Sequence, residues 1–238
     1  MDLNNNIDFV GLPGSGKTTL SRRVNASLNQ AGRLATNPIS QLNENLSGWS
    51  RPLAKLPYAT YGWIQDPTLP FEYFQSSQKN PNIALLYNWL FVRGVMVWHR
   101  ARPEITLYDQ GMIQAVWSFR LSESEEVVAL FQKRLLNTYS ETPTLIVCVE
   151  AAPNVLGTRL AARANNPSRV DVGRSAAFGI GDALGAYRFT KEEIVRKLVE
   201  TLPHATMLTV QNNDRADLAA NVEVIVTEIE KRAGNTQK

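Results

Sequence analysis

The sequence predicts a three-layer α/β fold in which a parallel sheet of about five strands is flanked by helices. Short apolar runs alternate with longer segments of helical periodicity, which is the pattern of parallel strands joined by crossover helices. The strand candidates are 7–10, 34–36, 105–108, 144–150 and 203–210. The run 144–150 is almost wholly apolar, as expected for a central strand that is buried on both faces. With 238 residues and 44% hydrophobic content, the chain is expected to form a single domain over 1–238.

A glycine-rich loop follows the first strand candidate. Gly11, Gly16, Lys17 and Thr18 fit the pattern G-x-x-x-x-G-K-[ST] without a mismatch. Glycines let the backbone turn its N–H groups around a phosphate, the lysine reaches the outer phosphates, and the hydroxyl begins a helix and ligates Mg²⁺. A dinucleotide fingerprint is rejected, because Thr19 stands where its third glycine would be. A chance glycine turn is the other alternative, and the order of strand, loop, lysine, hydroxyl and helix argues against it.

This loop is therefore predicted to bind the phosphates of a nucleoside triphosphate. A helix is expected to follow it, because Leu20, Val24 and Leu28 recur on one face at i, i+4 and i+8. The predicted phosphate-binding residues are Gly11, Pro13, Gly14, Ser15, Gly16, Lys17, Thr18 and Thr19.

Composition and charge argue against several other classes of protein. The formal net charge of +3 is too small to indicate a nucleic-acid partner, and no long basic run is present. The single cysteine, Cys148, lies in an apolar run, so we expect a buried thiol rather than a disulfide or a metal cluster. The polar N-terminus has no signal-peptide pattern, and no apolar run approaches the ~18 residues of a membrane span. We therefore expect a soluble, cytoplasmic protein with no membrane partner.

Residues 37–82 have the least regular pattern. Six prolines interrupt the segment, so we expect an irregular insert that packs over the edge of the sheet on the acceptor side. The insert also carries seven aromatic side chains, namely Trp49, Tyr58, Tyr61, Trp63, Phe71, Tyr73 and Phe74. These rings either pack as core or stack on a planar substrate, and the frequency of buried aromatic residues favours the first alternative. Exposed rings here would also permit a homodimer surface.

A long helix is predicted over 82–102. It is apolar on most faces, which indicates a buried helix. Arg93 interrupts this apolar surface, and a buried arginine requires an anionic partner. That partner is either a protein carboxylate or a substrate phosphate. His99 is expected to be a helix-end residue rather than a ligand.

The strand candidate 105–108 ends in an acid. Asp109, Gln110 and Gly111 follow it, and acids at the carboxyl ends of parallel strands face the ligand crevice. Asp109 is therefore predicted either to associate with Mg²⁺ or to act as a base on an acceptor hydroxyl. A helix-capping aspartate is the alternative. Helices are expected over 112–119 and 125–139.

Arginines and glycines follow the central strand. A helix is expected over 155–164, and it carries Arg159 and Arg163 on one face, with Arg169 shortly after. The glycines at 173, 179, 181 and 185 lie in the same region. Arginines beside a glycine-rich segment suit a lid that closes cations over phosphates, so 159–188 is predicted to be lid-like. A solvated helix face is the alternative for the arginine pair.

The last third of the chain completes the alternation. A helix is predicted over 190–201, with Thr190 and Glu193 as a capping box. The final strand leads to the turn 211–214, which we expect to bind a nucleobase beside a stacking arginine, and a closing helix is expected over 218–229.

Four stretches together resemble the nucleoside and nucleoside-monophosphate kinase group of P-loop proteins, in particular thymidylate kinase and the deoxynucleoside kinases. Residues 11–18 match the phosphate loop of that group, and 85–93 is similar to its acceptor-side helix with a terminal arginine. Residues 108–110 stand where the group has an acid–arginine pair, and 158–163 with Arg169 resembles its lid arginines. Gln110 departs from the pattern, because the group usually places an arginine there.

The resemblance implies a P-loop NTPase fold and a kinase that uses ATP and Mg²⁺. It implies catalytic roles for Lys17, Asp109, Arg159, Arg163 and Arg169, metal binding by Thr18 and Asp109, and substrate contacts by Arg93 and Gln110. The acceptor would be a nucleoside or a nucleoside monophosphate, with a sugar as a weaker alternative. A nucleotide-binding regulator, or an NTPase without an acceptor, remains the alternative from another class. A GTPase is disfavoured, because the sequence has no N-K-x-D guanine motif.

Overall fold

A five-stranded parallel sheet forms the centre of the molecule, in the order β2-β3-β1-β4-β5. The computed structural model describes residues 6–46, 50–77, 81–162 and 180–235. The strands are β1 (Asn6–Val10), β2 (Ala35–Thr36), β3 (Ile105–Tyr108), β4 (Thr144–Glu150) and β5 (Ala205–Gln211). All neighbouring pairs are parallel. The prediction of a parallel sheet of about five strands flanked by helices is confirmed.

Helices connect the strands and cover both faces of the sheet. They are α1 (Lys17–Gln30), α2 (Pro38–Asn45), α3 (Ser50–Ile64), α4 (Leu69–Ser76), α5 (Ile83–Arg100), α6 (Met112–Arg120), α7 (Glu125–Tyr139), α8 (Pro153–Ala161), α9 (Ile180–Phe189), α10 (Arg196–Thr201) and α11 (Arg215–Asn235). A π-helical segment, Thr190–Val195, joins α9 to α10. Within the described residues, no helix is both long enough and apolar enough to cross a membrane.

The two faces of β1 contribute to two separate cores. On one side, Ile7 and Phe9 pack with the predicted apolar stripe of α1 and with Ile225 and Ile229 of α11. On the other side lies a larger core built around α5, α6 and α7, in which the rings of Phe119 and Phe131 stack 3.8 Å apart. Cys148 is fully buried in this second core, as predicted.

The order of the strands places a ligand crevice beside β1. β1 lies between β3 and β4, with Asp8 aligned to Tyr108 on one side and to Ile146 on the other. The glycine loop after β1 and Asp109 after β3 therefore leave adjacent strands at the same edge of the sheet. Loops at the carboxyl ends of parallel strands form the ligand crevice in folds of this kind.

The segment 37–82 is more regular than we predicted. It contains three helices, α2, α3 and α4, so the prediction of an irregular insert was wrong for its described residues. Three of its prolines, Pro38, Pro52 and Pro70, lie in the first turn of a helix, where a missing N–H is not needed. Of the six prolines of the segment, all of which lie in the described part of the chain, only Pro57 lies in the interior of a helix.

The aromatic side chains of the insert divide between core and surface. Tyr73 is fully buried and packs against Phe119 and Phe131, which agrees with the core alternative. Phe71 and Trp63 are instead exposed. Trp49 lies outside the described residues.

Side-chain caps define two of the predicted helix starts. Asn82 Oδ1 accepts from the backbone N–H of Leu85 at the start of α5, and the Ser124 hydroxyl accepts from Val127 at the start of α7. The predicted capping box at Thr190 was wrong, because the helical backbone is continuous from 180 to 201. The Thr190 hydroxyl donates instead to the carbonyl of Ala186 one turn earlier.

Candidate functional site

The glycine loop after β1 turns sharply through two glycines with positive φ. Gly14 and Gly16 have φ angles of +88° and +92°, a region that other residues rarely adopt. The N–H of Ser15 donates to the carbonyl of Leu12 across the turn at 3.1 Å, and α1 begins at Lys17. The first N–H groups of a helix have no partner within the helix and favour an anion. The predicted strand, loop and helix are thus in place around the start of α1.

Lys17 lies folded over this loop. Its Nζ donates to the carbonyl of Gly11 at 2.5 Å and to that of Leu12 at 3.0 Å. The side chain is only partly buried, so phosphate oxygens at the loop could replace these carbonyls as partners. Thr18 is half-buried one residue further into α1, and Thr19 is exposed.

Asp109 lies beside the loop, at the end of the strand that neighbours β1. It is 2% exposed, and burial raises the pKa of its carboxyl, while a hydrogen bond with the Thr18 hydroxyl and the charge of Lys17 lower that pKa. Its Oδ1 has no hydrogen-bond partner among the described residues. The structure therefore brings Lys17, Thr18 and Asp109 together, as the sequence predicts.

These oxygen groups fit a Mg²⁺ ion. A carboxylate with an unpartnered oxygen and a neighbouring hydroxyl are hard ligands of the type that Mg²⁺ prefers. Among the described residues, no group of three or more His, Cys, Asp or Glu side chains could hold a metal on its own.

The structure also reveals an acid that the sequence analysis missed. Asp8, in the middle of β1, is fully buried in the core between the sheet and α6 and α7. Burial raises the pKa of its carboxyl to about 7, against the lowering effects of Tyr139 and of the backbone N–H of Ile113. The signal for Asp8 in the sequence was the acid itself, because it stands within a parallel strand, and central parallel strands are buried on both faces.

Arg159 does not have the lid position that we predicted. Its guanidinium donates to backbone carbonyls of the phosphate loop, Gly14 at 3.2 Å and Ser15 at 3.5 Å. It also donates to the carbonyls of Asn212 and Asn213 in the turn after β5, at 2.9 Å each. Because these carbonyls occupy the guanidinium, the structure corrects the role of Arg159 from a lid cation to a link between two loops. The alternative of a solvated helix face is wrong for Arg159 and stays untested for Arg163.

The remaining predicted site residues are Arg93, Gln110, Arg163 and Arg169. Arg93 pairs with Asp66 at 2.9 Å and donates to the carbonyl of Gln65, so the structure favours the protein carboxylate as its partner over a substrate. Gln110 is exposed directly after Asp109. Arg163 and Arg169 lie outside the described residues, as does most of the predicted lid, so these assignments stay predictions.

A group of polar side chains that joins α1 to α2 was also missed. Arg22 follows Thr18 by one helical turn, pairs with Glu44, and its charge lowers the pKa of Asp109. Its Nε lies 3.4 Å from the hydroxyl of Ser40. The spacing of four residues between Thr18 and Arg22 was the signal in the sequence, since it places both on one helix face.

A cavity of about 320 Å³ adjoins the phosphate loop on the side of β4 and β5. Its walls come from the loop, from the ends of the two strands and from α8 and α9. The residues that line it include Leu12, Ser15, Glu150, Leu156, Tyr187, Arg188, Gln211 and Asn213. Two residues of the predicted base-binding turn, Gln211 and Asn213, therefore face the same cavity as the phosphate loop.

Solved structures of deoxyadenosine kinase from M. mycoides are similar to this chain. The structure with the product dCMP and a flexible dCDP bound is 12% identical, covers 95% of this chain and 99% of that chain, and has a TM-score of 0.50. A second structure, with bound dCTP, is 11% identical over the same shares of both chains, with a TM-score of 0.47. A scan against protein-family models and a search of curated proteins found no match. At this identity the likeness concerns the fold, and the chain therefore has a three-layer P-loop fold similar to that of deoxyadenosine kinase.

Proposed function

We propose that this protein is an ATP-dependent phosphotransferase that moves the γ-phosphate to a nucleoside or a nucleoside monophosphate. The observation that carries the proposal is the position of Asp109. An acid with an unpartnered oxygen lies beside the hydroxyl and the lysine of a phosphate loop. Phosphoryl transfer depends on positioning and on neutralising charge, and these three side chains supply both.

The phosphate loop would bind the donor. The backbone N–H groups of 14–18 would surround the β-phosphate, and Lys17 would exchange the carbonyls of Gly11 and Leu12 for β- and γ-phosphate oxygens. Thr18 and Asp109 would hold Mg²⁺, with Asp109 acting directly or through water. The ion, when bound, neutralises charge on the phosphates. Asp109 would otherwise accept the proton of the acceptor hydroxyl.

The donor base is assigned to the cavity beside the loop. A volume of about 320 Å³ at the ends of β4 and β5 is supported as a base site by its apolar walls and by the amides of Gln211 and Asn213. Arg188 on α9 lines the same cavity and is a candidate for the stacking arginine. Arg163 and Arg169 stay candidates for the cations that close over the transferring phosphoryl group.

The acceptor is assigned to the other side of Asp109. The polar side chains Arg22, Ser40 and Glu44 lie between α1 and α2 on that side. The fold shared with a kinase whose structure holds dCMP and dCDP supports a nucleoside or nucleotide over a sugar.

A second candidate is an NTPase or a nucleotide-binding regulator without a small-molecule acceptor. One observation favours it. Two of the arginines expected at the site, Arg93 and Arg159, are engaged by Asp66 and by backbone carbonyls, and Gln110 replaces a third. A site with fewer cations stabilises the transferring phosphoryl group less.

The test is ADP formation from ATP·Mg²⁺ with and without a panel of nucleosides, nucleoside monophosphates and sugars. We expect turnover that depends on a nucleoside or a nucleoside monophosphate. Lys17→Ala should abolish turnover and weaken ATP binding, whereas Asp109→Asn should lower kcat by about 100-fold or more with ATP still bound. Lys133→Ala, at an exposed position on α7, is the matched control and should behave as wild type.

The same measurement distinguishes the two candidates. ADP formation that no acceptor stimulates would support the NTPase. Undiminished ATP affinity in the Lys17→Ala variant would contradict the assignment of the donor site itself.

A further inference from the structure

Asp8 is a buried carboxylate to which the proposed reaction gives no role. We propose that Asp8 is a positioning residue for Asp109, because its carboxylate holds the turn 109–111 and the start of α6 in place. The inference rests on the proposed function, which gives Asp109 its task. Asp8 itself touches neither donor nor acceptor in this assignment, since it lies below the crevice in the core of the sheet.

The contact with the turn is direct. A Cβ atom on Gly111 would lie 2.2 Å from both carboxylate oxygens of Asp8, so the backbone of Gly111 lies against the carboxylate, and a larger residue there would force Asp8 to move. Gly111 is two residues after Asp109, and it is also the residue that precedes α6. The position of the Asp8 carboxylate therefore limits where the turn behind Asp109 can lie.

The start of α6 supplies the attraction in this contact. Gly111, its N-cap residue, has no side chain to bond the first N–H groups of the helix. The backbone N–H of Ile113, in the first turn, favours the charged form of Asp8. A negative charge near a helix N-terminus is stabilising, and the Asp8 carboxylate lies against Gly111, the residue at which this helix starts.

Two further contacts fix Asp8. Its backbone belongs to the central strand, which is paired on both sides with β3 and β4. The hydroxyl of Tyr139, the last residue of α7 and 1% exposed, donates to Asp8 Oδ2. The carboxylate is therefore held by a strand and by a second helix, and it can transmit that rigidity to the turn.

If Asp8 served folding alone, an apolar side chain would be expected at this position. A buried carboxylate is costly to desolvate, and Asp8 Oδ1 has no hydrogen-bond partner among the described residues. An apolar side chain of similar size would serve stability better. The carboxylate is explained if it orients the turn behind Asp109 and if this orientation matters more than the stability that is lost by burying a carboxylate.

The experiment compares Asp8→Asn and Tyr139→Phe with Val147→Ala. Asparagine keeps the shape of Asp8 but removes its charge and replaces one oxygen with an N–H₂ donor, so the contacts of the carboxylate with Tyr139 and with the backbone of Gly111 change. We expect kcat to fall between about 10- and 100-fold in both variants, with the KM for ATP nearly unchanged. Val147 is equally buried, on β4, but belongs to the opposite core. Val147→Ala should therefore lower stability and leave kcat unchanged at temperatures where it is folded.

Amide hydrogen exchange gives a readout that does not depend on catalysis. Exchange at Gly111 and Ile113, measured by NMR, should become faster in Asp8→Asn relative to amides of the global core, and not in Val147→Ala. If Asp8→Asn changes neither this local protection nor kcat relative to Val147→Ala, the positioning role is overturned. If wild type transfers phosphate to no acceptor, the proposed function fails. In that case, the exchange rates at Gly111 and Ile113 still decide whether Asp8 holds the turn. The Mg²⁺ dependence of ATP binding, measured by calorimetry, then decides whether Asp109 depends on Asp8.

Discussion

Arg159 shows how the partner of a side chain determines its role. The sequence places it among arginines that resemble lid cations, but its guanidinium donates to four backbone carbonyls in the phosphate loop and in the turn after β5. The amide of Asn212 adds a further bond to the carbonyl of Ser15, at 2.6 Å. The loop that would bind phosphates and the turn that would bind the base are therefore tied together.

We predict that Arg159→Ala lowers stability and ATP affinity together. The carbonyls lose a charged donor, and hydrogen bonds to charged groups contribute about 1.5–3 kcal/mol. We therefore expect a stability loss on the order of 2 kcal/mol and about 10-fold weaker ATP binding, measured by urea unfolding and calorimetry. Arg23→Ala, at an exposed position on α1, is the control and should change neither quantity. A loss of kcat with unchanged stability and affinity would instead restore the lid role.

At the scale of elements, the sequence predicted the strands and the helices that immediately cover them, because both leave clear patterns. Leu20, Val24 and Leu28 are all fully buried, as their spacing indicated. The helices of 37–82 were missed, because Pro38 and Pro70 were interpreted as breaks although each begins a helix. Composition alone does not separate these two uses of proline.

The candidate site also has parts that could be predicted from the sequence and parts that could not. The glycine loop and Asp109 are local in sequence, so their positions at the ends of adjacent strands could be predicted from the strand ends and a motif. The partners of Arg159 and the surroundings of Asp8 could not, because they depend on residues 53 to 145 positions away and on strand register. Interactions of that range become visible only when the fold brings the elements together.

The pairing of α3 with α5 gives a prediction at this scale. The helices approach so closely that a Cβ on Gly94 would lie 1.8 Å from the carbonyl oxygen of Tyr58. Gly94→Ala should push the helices apart and destabilise the protein by about 1–3 kcal/mol in urea unfolding. Gly157→Ala is the matched control: nothing lies within 4 Å of a Cβ there, so helix propensity should raise stability by about 0.5–1 kcal/mol. Equal effects of the two substitutions would contradict the close approach.

At the scale of the whole molecule, the buried carboxylate of Asp8 makes global stability depend on pH. Burial raises its pKa from an ordinary 3.8 to about 7. Tyr139, Ile113 and Lys17 act in the opposite direction, and the charge of Asp109 adds to the rise. Between about pH 4 and pH 7, Asp8 therefore binds more protons in the folded than in the unfolded protein. The contribution of Asp8 to stability is greatest below this window and falls as the pH rises through it.

Comparison of wild type with Asp8→Asn isolates this contribution from the other carboxylates. Because asparagine does not titrate, the free energy of unfolding of the variant minus that of wild type should increase from pH 4 to pH 7 and then level off. At about 1.4 kcal/mol for each unit of pKa, the increase should reach roughly 4 kcal/mol at most. Urea unfolding of both proteins at a series of pH values measures it. A difference that is flat from pH 4 to pH 8, or one that decreases, would show that Asp8 titrates in its ordinary range. With the expected increase and a lower kcat in the same variant, the Asp8 charge would be shown to lower the stability of the protein and to support its turnover.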